Sequence, residues 1–373
     1  MKPYERFLTA LRREQPDMVP VWELIVNEPV VSTVLGRRVT GTKEDMLNAY
    51  CELAEFLDLD GVTWGEDQEM KAVGEFFVDE WGITWRLNRD GIAYPVKGPI
   101  KSEKDIIDYS PPDPDASHRL ESIEKLVDVF KNERAVVFLG HETFEFSHYL
   151  LGGMDRLFKL YYLKPDLAVL LSEKVSEYKC RVIERAIKAG VDAVVCGDDY
   201  ADGRGPFLPP SLFKKFILPY IKRAVDTTHR AGVPYIKHTD GNLKWMLDML
   251  VEARVDALHP IEPAAGMDIA EVKKRYGDRL CVIGNIDCRK LLTGGSPRDV
   301  EEAVKETIAK VAPGGGYILS SSNSIHPGVR PENFVAMVKA ARTYGRYPID
   351  KRLIAEYAGR CLYSRLFPEF FGR

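Results

Sequence analysis

The sequence predicts an α/β fold, a single (β/α)8 TIM barrel with an inserted β-hairpin. Eight short β-branched runs recur along the chain, each ending in polar or acidic residues and each followed by a helical pattern. No stretch of altered composition is long enough to serve as an interdomain linker, so residues 1–373 read as one domain.

The elements follow in order. The segment MKPYERFLTALRREQPD is amphipathic and charged, unlike a secretory leader, and leads into the first run, VPVWEL at 19–24. The second run is GVTWGE at 61–66. After it, residues 76–100 (FFVDEWGITWRLNRDGIAYPVKGPI) alternate in strand fashion with Gly at turn positions, which predicts the inserted hairpin. AVVFLGHE at 135–142 is the third run. In 165–189, Leu167, Leu170, Leu171, Val175, Tyr178, Val182, Ile183, Ala186 and Ile187 repeat at helical spacing, with Pro165 to start the helix and Gly190 to stop it. AVVCGDD (193–199), YIKHTD (235–240), ALHPIE (257–262), LCVIGNID (280–287) and YILSSSN (317–323) complete the eight. The PGGGY run at 313–317 precedes a strand rather than opening a helix, so it is not a phosphate loop. Residues 346–373 form a C-terminal extension rich in Arg and Phe, which either caps the barrel or packs on a neighbouring subunit, as in a homodimer.

Composition narrows the function. Of 373 residues 45% are hydrophobic and 29% charged, the balance of a globular chain. Lys and Arg (52) against Asp and Glu (56) leave a net charge of −4, which lacks the positive field that nucleic acid or an anionic membrane surface requires. No run approaches the roughly 20 apolar residues of a bilayer span, and the six cysteines are scattered without a C-x-x-C pair. The expectation is a cytoplasmic protein with reduced thiols and no membrane or nucleic-acid partner.

In such a barrel the chemistry sits at the carboxyl ends of the strands. Those ends are unusually polar: Glu23 and Asn27, Glu66 and Asp67, His141, Glu142 and Glu145, Asp198 and Asp199, His238 and Asp240, His259 and Glu262, Asn285 and Asp287, Ser322 and Asn323. Converging carboxylates repel unless a metal, a cationic ligand or shared protons offset them. His238 and Asp240 lie two apart and so share one strand face, ahead of a Gly-Asn turn. His259 has a second reading, as a buried donor to a backbone carbonyl. Trp22, Trp64, Trp81 and Trp85 are candidates to line an aromatic pocket, with ordinary core packing as the competing reading.

Several segments together resemble the uroporphyrinogen decarboxylase superfamily, which includes corrinoid-dependent methyltransferases. They are VPVW, VDEWGITWR with AYPVKGPI, FKKFILPYIKRAVDTTHRAGVPYIKHTDGN, VIGNID and SNSIHPGVRPENFVAMVKAAR. The resemblance spans nearly the whole chain and implies one (β/α)8 barrel. Where the decarboxylase carries an arginine-rich segment for its polyanionic substrate, this chain has ELIVNEPVV, and its late histidine aligns with Asn323. The methyltransferase branch holds zinc through His-x-Cys and a later Cys; here those positions are His238, Asp240 and Asn323. That leaves an oxygen-rich set, with Glu262 as a further ligand, able to hold zinc, a harder metal or none.

The resemblance that stays compatible is to the first methyltransferase of O-demethylase systems, which transfers the methyl group of an aryl methyl ether to the cobalt of a corrinoid protein. It implies a corrinoid (cobalamin) carried by a partner protein and a small methoxylated aromatic substrate. Trp22, Trp64 and Phe144 would sandwich the ring, and Asn27, Ser322 and Asn323 would bond its substituents. The leaving phenolate would take a proton from one of Glu66, Asp67, Asp198 and Asp199, one of which is expected to have its pKa raised by mutual repulsion, or from His141.

Overall fold

The computed structural model describes residues 1–89 and 91–372, so Asp90 in the insertion and Arg373 at the end of the extension lie outside the described residues. Its central sheet is parallel and contains β1 (Gly61–Gly65), β6 (Ala135–Gly140), β7 (Ala193–Gly197), β10 (Tyr235–His238), β11 (Ala257–His259), β12 (Cys281–Ile283) and β13 (Tyr317–Ile318), in that order. These are seven of the eight runs. The eighth, at 19–24, has Pro20 without an N–H and cannot make a regular ladder. It nevertheless closes the wall. Val21 bridges Leu319 in parallel, Trp22 N–H donates to Leu319 O at 3.0 Å, and Leu319 N–H donates to Pro20 O at 2.9 Å.

On its other side the first run is joined to β1 through Asp60. Asp60 N–H donates to Val21 O at 2.8 Å, and Val21 N–H donates to the Asp60 carboxylate at 2.6 Å. A side chain thus supplies the acceptor that a longer strand would have offered. The same buried carboxylate binds Arg6 at 2.6 Å and Arg342 at 2.8 Å, tying the first helix (Pro3–Leu11) and the helix Pro331–Tyr344 to the seam.

Alternation along the strands divides the core in two. Ala135, Val137, Ala193, Val195, Ile236, Ala257, Cys281, Ile283 and Ile318 point into the barrel, and Phe7, Ala10 and Leu11 of the first helix pack with them. The opposite faces of the strands pack against the surrounding helices, among them Pro165–Ala189, which ends with Gly190 in the left-handed conformation.

The insertion is larger than a hairpin. β2 (Met70–Val73), β3 (Phe76–Asp79), β4 (Thr84–Leu87) and β5 (Ala93–Lys97) form a four-stranded antiparallel sheet, beginning six residues before the expected boundary. All of β2 is exposed, so it lacks the apolar alternation by which a strand is recognised. A two-stranded ribbon, β8 (Ala201–Asp202) with β9 (Gly205–Pro206), follows β7. The C-terminal extension folds back on its own barrel: Phe367 and Tyr357 are buried, and the Tyr363 hydroxyl donates to Asn285 O at 2.8 Å while accepting from Asp287 N–H at 3.1 Å.

Candidate active site at the carboxyl ends of the strands

Inward-facing strand ends build the deepest part of the site. His238 ends β10 and His259 ends β11; the two are register partners, and their Nδ1 atoms approach to 2.7 Å. His259 Nε2 reaches Ser320 Oγ at 3.2 Å, and Ser320 Oγ lies 3.4 Å from Glu23 Oε2. Ser321 adds its N–H (2.8 Å) and hydroxyl (2.6 Å) to the same carboxyl group. All five residues are buried, forming a continuous chain from Glu23 to the mouth. Burial lowers the His238 pKa to about 4, with Lys237 and His141 reinforcing the shift, and holds His259 well below its ordinary value. Burial also pushes Glu23 up to about 8 against its serine hydrogen bonds.

Two neutral imidazoles joined through Nδ1 share one proton between them, so the chain has two polarities. When Glu23 is ionised, each hydrogen points toward it and His238 Nε2 presents a lone pair. When Glu23 is protonated, the order reverses and Nε2–H becomes a donor. Trp22 supports this chain from within the barrel rather than lining the mouth: its ring is fully buried, meets His259 edge-on at 5.3 Å and donates Nε1–H to Thr63 at 2.8 Å.

Beside His238 sit Asp240 and Asp199. His238 Nε2 is 3.9 Å from Asp240 Oδ1, and Asp240 N–H donates to Asp199 at 2.8 Å. Gly241 makes the turn with φ +92°, where a Cβ would lie 2.6 Å from the Ala201 carbonyl carbon. Asn323 donates its amide to Asp240 Oδ2, while Asp240 Oδ1 is buried without a hydrogen-bond partner. Nitrogen and carboxylate atoms of His238, Asp240 and Asp199 lie within 4.8 Å of one another, a donor set that fits a hard or borderline divalent metal. Glu262 is held elsewhere, accepting Gly241 N–H at 3.0 Å with Arg289 3.7 Å away. Asp199 therefore stands nearer the metal-ligand role expected of Glu262.

A second group forms one strand over, where His141 after β6 meets Glu145 at 3.2 Å and Asp198 after β7 at 3.6 Å. Burial opposes the His141 charge, but Asp198 and Glu145 outweigh it and raise its pKa to about 9. Despite burial, His141 and Lys237 hold the Asp198 carboxyl below its ordinary value. The other expected acids have separate partners. Glu66 pairs with Lys179 at 2.7 Å and accepts from Tyr178; burial would raise it, and Lys179 overrides that. Asp67 faces away, accepting Ser122 N–H and Oγ–H at 2.8 and 2.7 Å at the start of the helix Glu121–Phe130. The acids of the mouth that are raised are instead Asp240, pushed well up by burial and then by the charges of Asp199, Glu262 and Glu145, and, through burial, Glu145 and Glu262 themselves. Repulsion accumulates there because Lys179 and His141 offset the charges of Glu66 and Asp198.

Of the proposed ring-binding residues, Trp64 and Asn27 line one cavity of about 380 Å3 with Leu24, Met46, Tyr50 and Leu139. Phe144 is buried against Phe158 and Tyr200, and Ser322 turns to Cys288, whose N–H it accepts at 3.1 Å. Lys179, Ser320 and Ser321 went unnoticed in the sequence. Ser320 follows β13 on its inward parity, a signal hidden within a run of three serines.

The sequence matches the family Uroporphyrinogen decarboxylase (URO-D) over residues 2–344, and the chain belongs to that family. A uroporphyrinogen decarboxylase from Aeromonas salmonicida is 25% identical over 95% of this chain and 98% of its own length. One from Geotalea uraniireducens is 28% identical over 65% of this chain and 70% of its own. Among solved structures, a methyltransferase from Methanosarcina mazei shares the fold, with a TM-score of 0.76 at 18% identity over 92% of this chain and 99% of that one. Among the described residues no helix is long and apolar enough to cross a membrane.

Proposed function

We propose that this protein is a methyltransferase that moves the methyl group of an aryl methyl ether to the cobalt of a corrinoid carried by a partner protein. The observation that carries the reading is the pairing of an apolar cavity with an acidic mouth. Trp64, Leu139 and Asn27 offer a neutral ring two apolar walls and one amide. The mouth has little cationic charge to give a polyanion: Lys179 is engaged by Glu66, Lys237 by Glu142 at 2.5 Å, and Arg289 lies beside Glu262. A substrate with many carboxylates would meet uncompensated repulsion there.

In the transfer, the cobalt electron pair forms the new bond to carbon and the C–O pair leaves with oxygen, so the enzyme must receive a phenolate. His238 is placed for that task. Its Nδ1 is fixed by His259, leaving Nε2 as the ring atom that faces the mouth. With Glu23 protonated, Nε2–H delivers a proton to the departing oxygen, and the Ser320–His259 chain replaces it from Glu23. A divalent metal held by His238 Nε2, Asp240 and Asp199 would take the place of that proton, supplying Lewis acidity to the departing oxygen instead. Asn27 orients the ring, and the Trp64 cavity excludes water around it.

The test combines purified protein, a reduced corrinoid protein or free cob(I)alamin, and a panel of methoxylated arenes. Conversion of the Co(I) absorption spectrum to that of methyl-Co(III) is expected only with enzyme and arene both present. Demethylation without corrinoid would sink the proposal. A second reading, decarboxylation of a less anionic substrate, is favoured by the curated relatives, and carbon dioxide release would establish it.

A further inference from the structure

We infer that His141, Glu145 and Asp198 form a divalent transition-metal site of the zinc class, separate from the group around His238. The geometry is that of ligands rather than of hydrogen bonds. His141 Nδ1 stands 3.2 Å from a Glu145 oxygen and 3.6 Å from Asp198 Oδ1, and the three donor atoms lie within 4.8 Å of one another. Yet His141 Nδ1 and Asp198 Oδ1 are both buried without a hydrogen-bond partner. An imidazolium N–H would be aimed along one of those two lines; here neither contact has that alignment. Four ligands arranged tetrahedrally about 2.0–2.1 Å from zinc are separated from each other by about 3.3–3.4 Å, close to the 3.2 and 3.6 Å that His141 Nδ1 makes with the two carboxylates.

The surroundings hold the donors in place. Asp198 is fully buried, and its other oxygen accepts N–H from Phe144 at 2.7 Å and from Glu145 at 3.3 Å. Those two bonds turn Oδ1 toward His141. They also fix the first turn of the helix Phe144–Leu151, which carries Glu145. Phe146 covers the imidazole edge-on at 5.4 Å. Two carboxylates and a neutral imidazole balance a dication, and three protein ligands leave a fourth position for water or a substrate oxygen.

Metal content tests the site without any substrate, so its outcome is independent of the methyl-transfer reading. Wild type and the variants His141→Ala, Asp198→Asn, Glu145→Gln and His238→Ala are loaded with Zn2+, dialysed and analysed by mass spectrometry for bound metal. Co2+-loaded samples are examined for visible ligand-field absorption. Each of the first three variants should lose one equivalent relative to wild type, whereas His238→Ala keeps that equivalent. Added Zn2+ should raise the melting temperature of His238→Ala and fail to do so through this site in Asp198→Asn. Glu145→Gln, the least disruptive of the three, serves if the others do not fold. Unchanged stoichiometry in His141→Ala and Glu145→Gln would overturn the inference. So would a His141 ring that NMR shows doubly protonated at neutral pH in Zn2+-saturated protein.

Discussion

Replacing His238 with alanine removes the ring nitrogen that the buried chain delivers to the mouth. Turnover should be abolished, while circular dichroism and melting temperature stay near wild type. Loss of soluble protein without a separable activity defect would assign His238 a structural role instead. Glu23 makes a pH-dependent prediction. Its folded pKa, about 8, lies above the ordinary carboxyl value, so the folded state binds more protons across that interval. The associated stability is fully present below the unfolded pKa and is lost as pH rises through 8. Glu23→Gln cannot ionise, so its stability relative to wild type should improve from pH 5 to pH 9, by at most about 1.4 kcal/mol per pH unit. Denaturant melts at pH 5, 7 and 9 measure this, and a constant difference would show that Glu23 stays ionised throughout.

At the scale of elements, the turn after β10 positions both Asp240 and the amide that holds Glu262. Gly241→Ala would place a methyl group into the Ala201 carbonyl at a positive φ, a combination expected to cost about 1–3 kcal/mol. On the metal-site reading of His238, Asp240 and Asp199 it should also weaken Zn2+ binding, which a chelator competition reads directly. The strand pattern was legible because alternation and β-branching are local properties: all eight runs lie in the wall, and the His238–Asp240 pairing follows from period two alone. The buried chain of contacts was not. His259 meets His238 across 21 residues through the parallel pairing of β10 with β11, and Glu23 meets Ser320 across 297, a separation that barrel closure brings together. Asp67 and Ser322 show the converse, since residues at a strand end can satisfy a helix start or a neighbouring loop instead of the mouth. β2 was missed because an exposed edge strand buries nothing.

For the whole molecule, the seam at Asp60 is the point where first and last segments meet. Asp60→Asn leaves Arg6 and Arg342 with a weakened buried partner, and breaking such a pair is expected to cost about 3–5 kcal/mol. Urea unfolding should show a reduced midpoint with an unchanged slope; a loss under about 1 kcal/mol would mean that Asp17 and Asp58 compensate. The extension is part of the same structure. Removing residues 358–372 should lower the melting temperature and loosen the Asn285–Asp287 loop, detectable as faster amide exchange there, because Tyr363 bonds both ends of that loop.

The placement of Glu23 and Ser320 has a consequence for synthesis. A nascent chain exposes His238 and His259 well before the last strand leaves the ribosome, but the serine that links them to Glu23 is among the final segments translated. Partial products therefore carry Glu23 and the histidines without the serine that joins them. Activity is therefore expected only of chains that include Ser320, and a cut between β12 and β13 should yield two fragments that are inert apart and regain function only on reassociation.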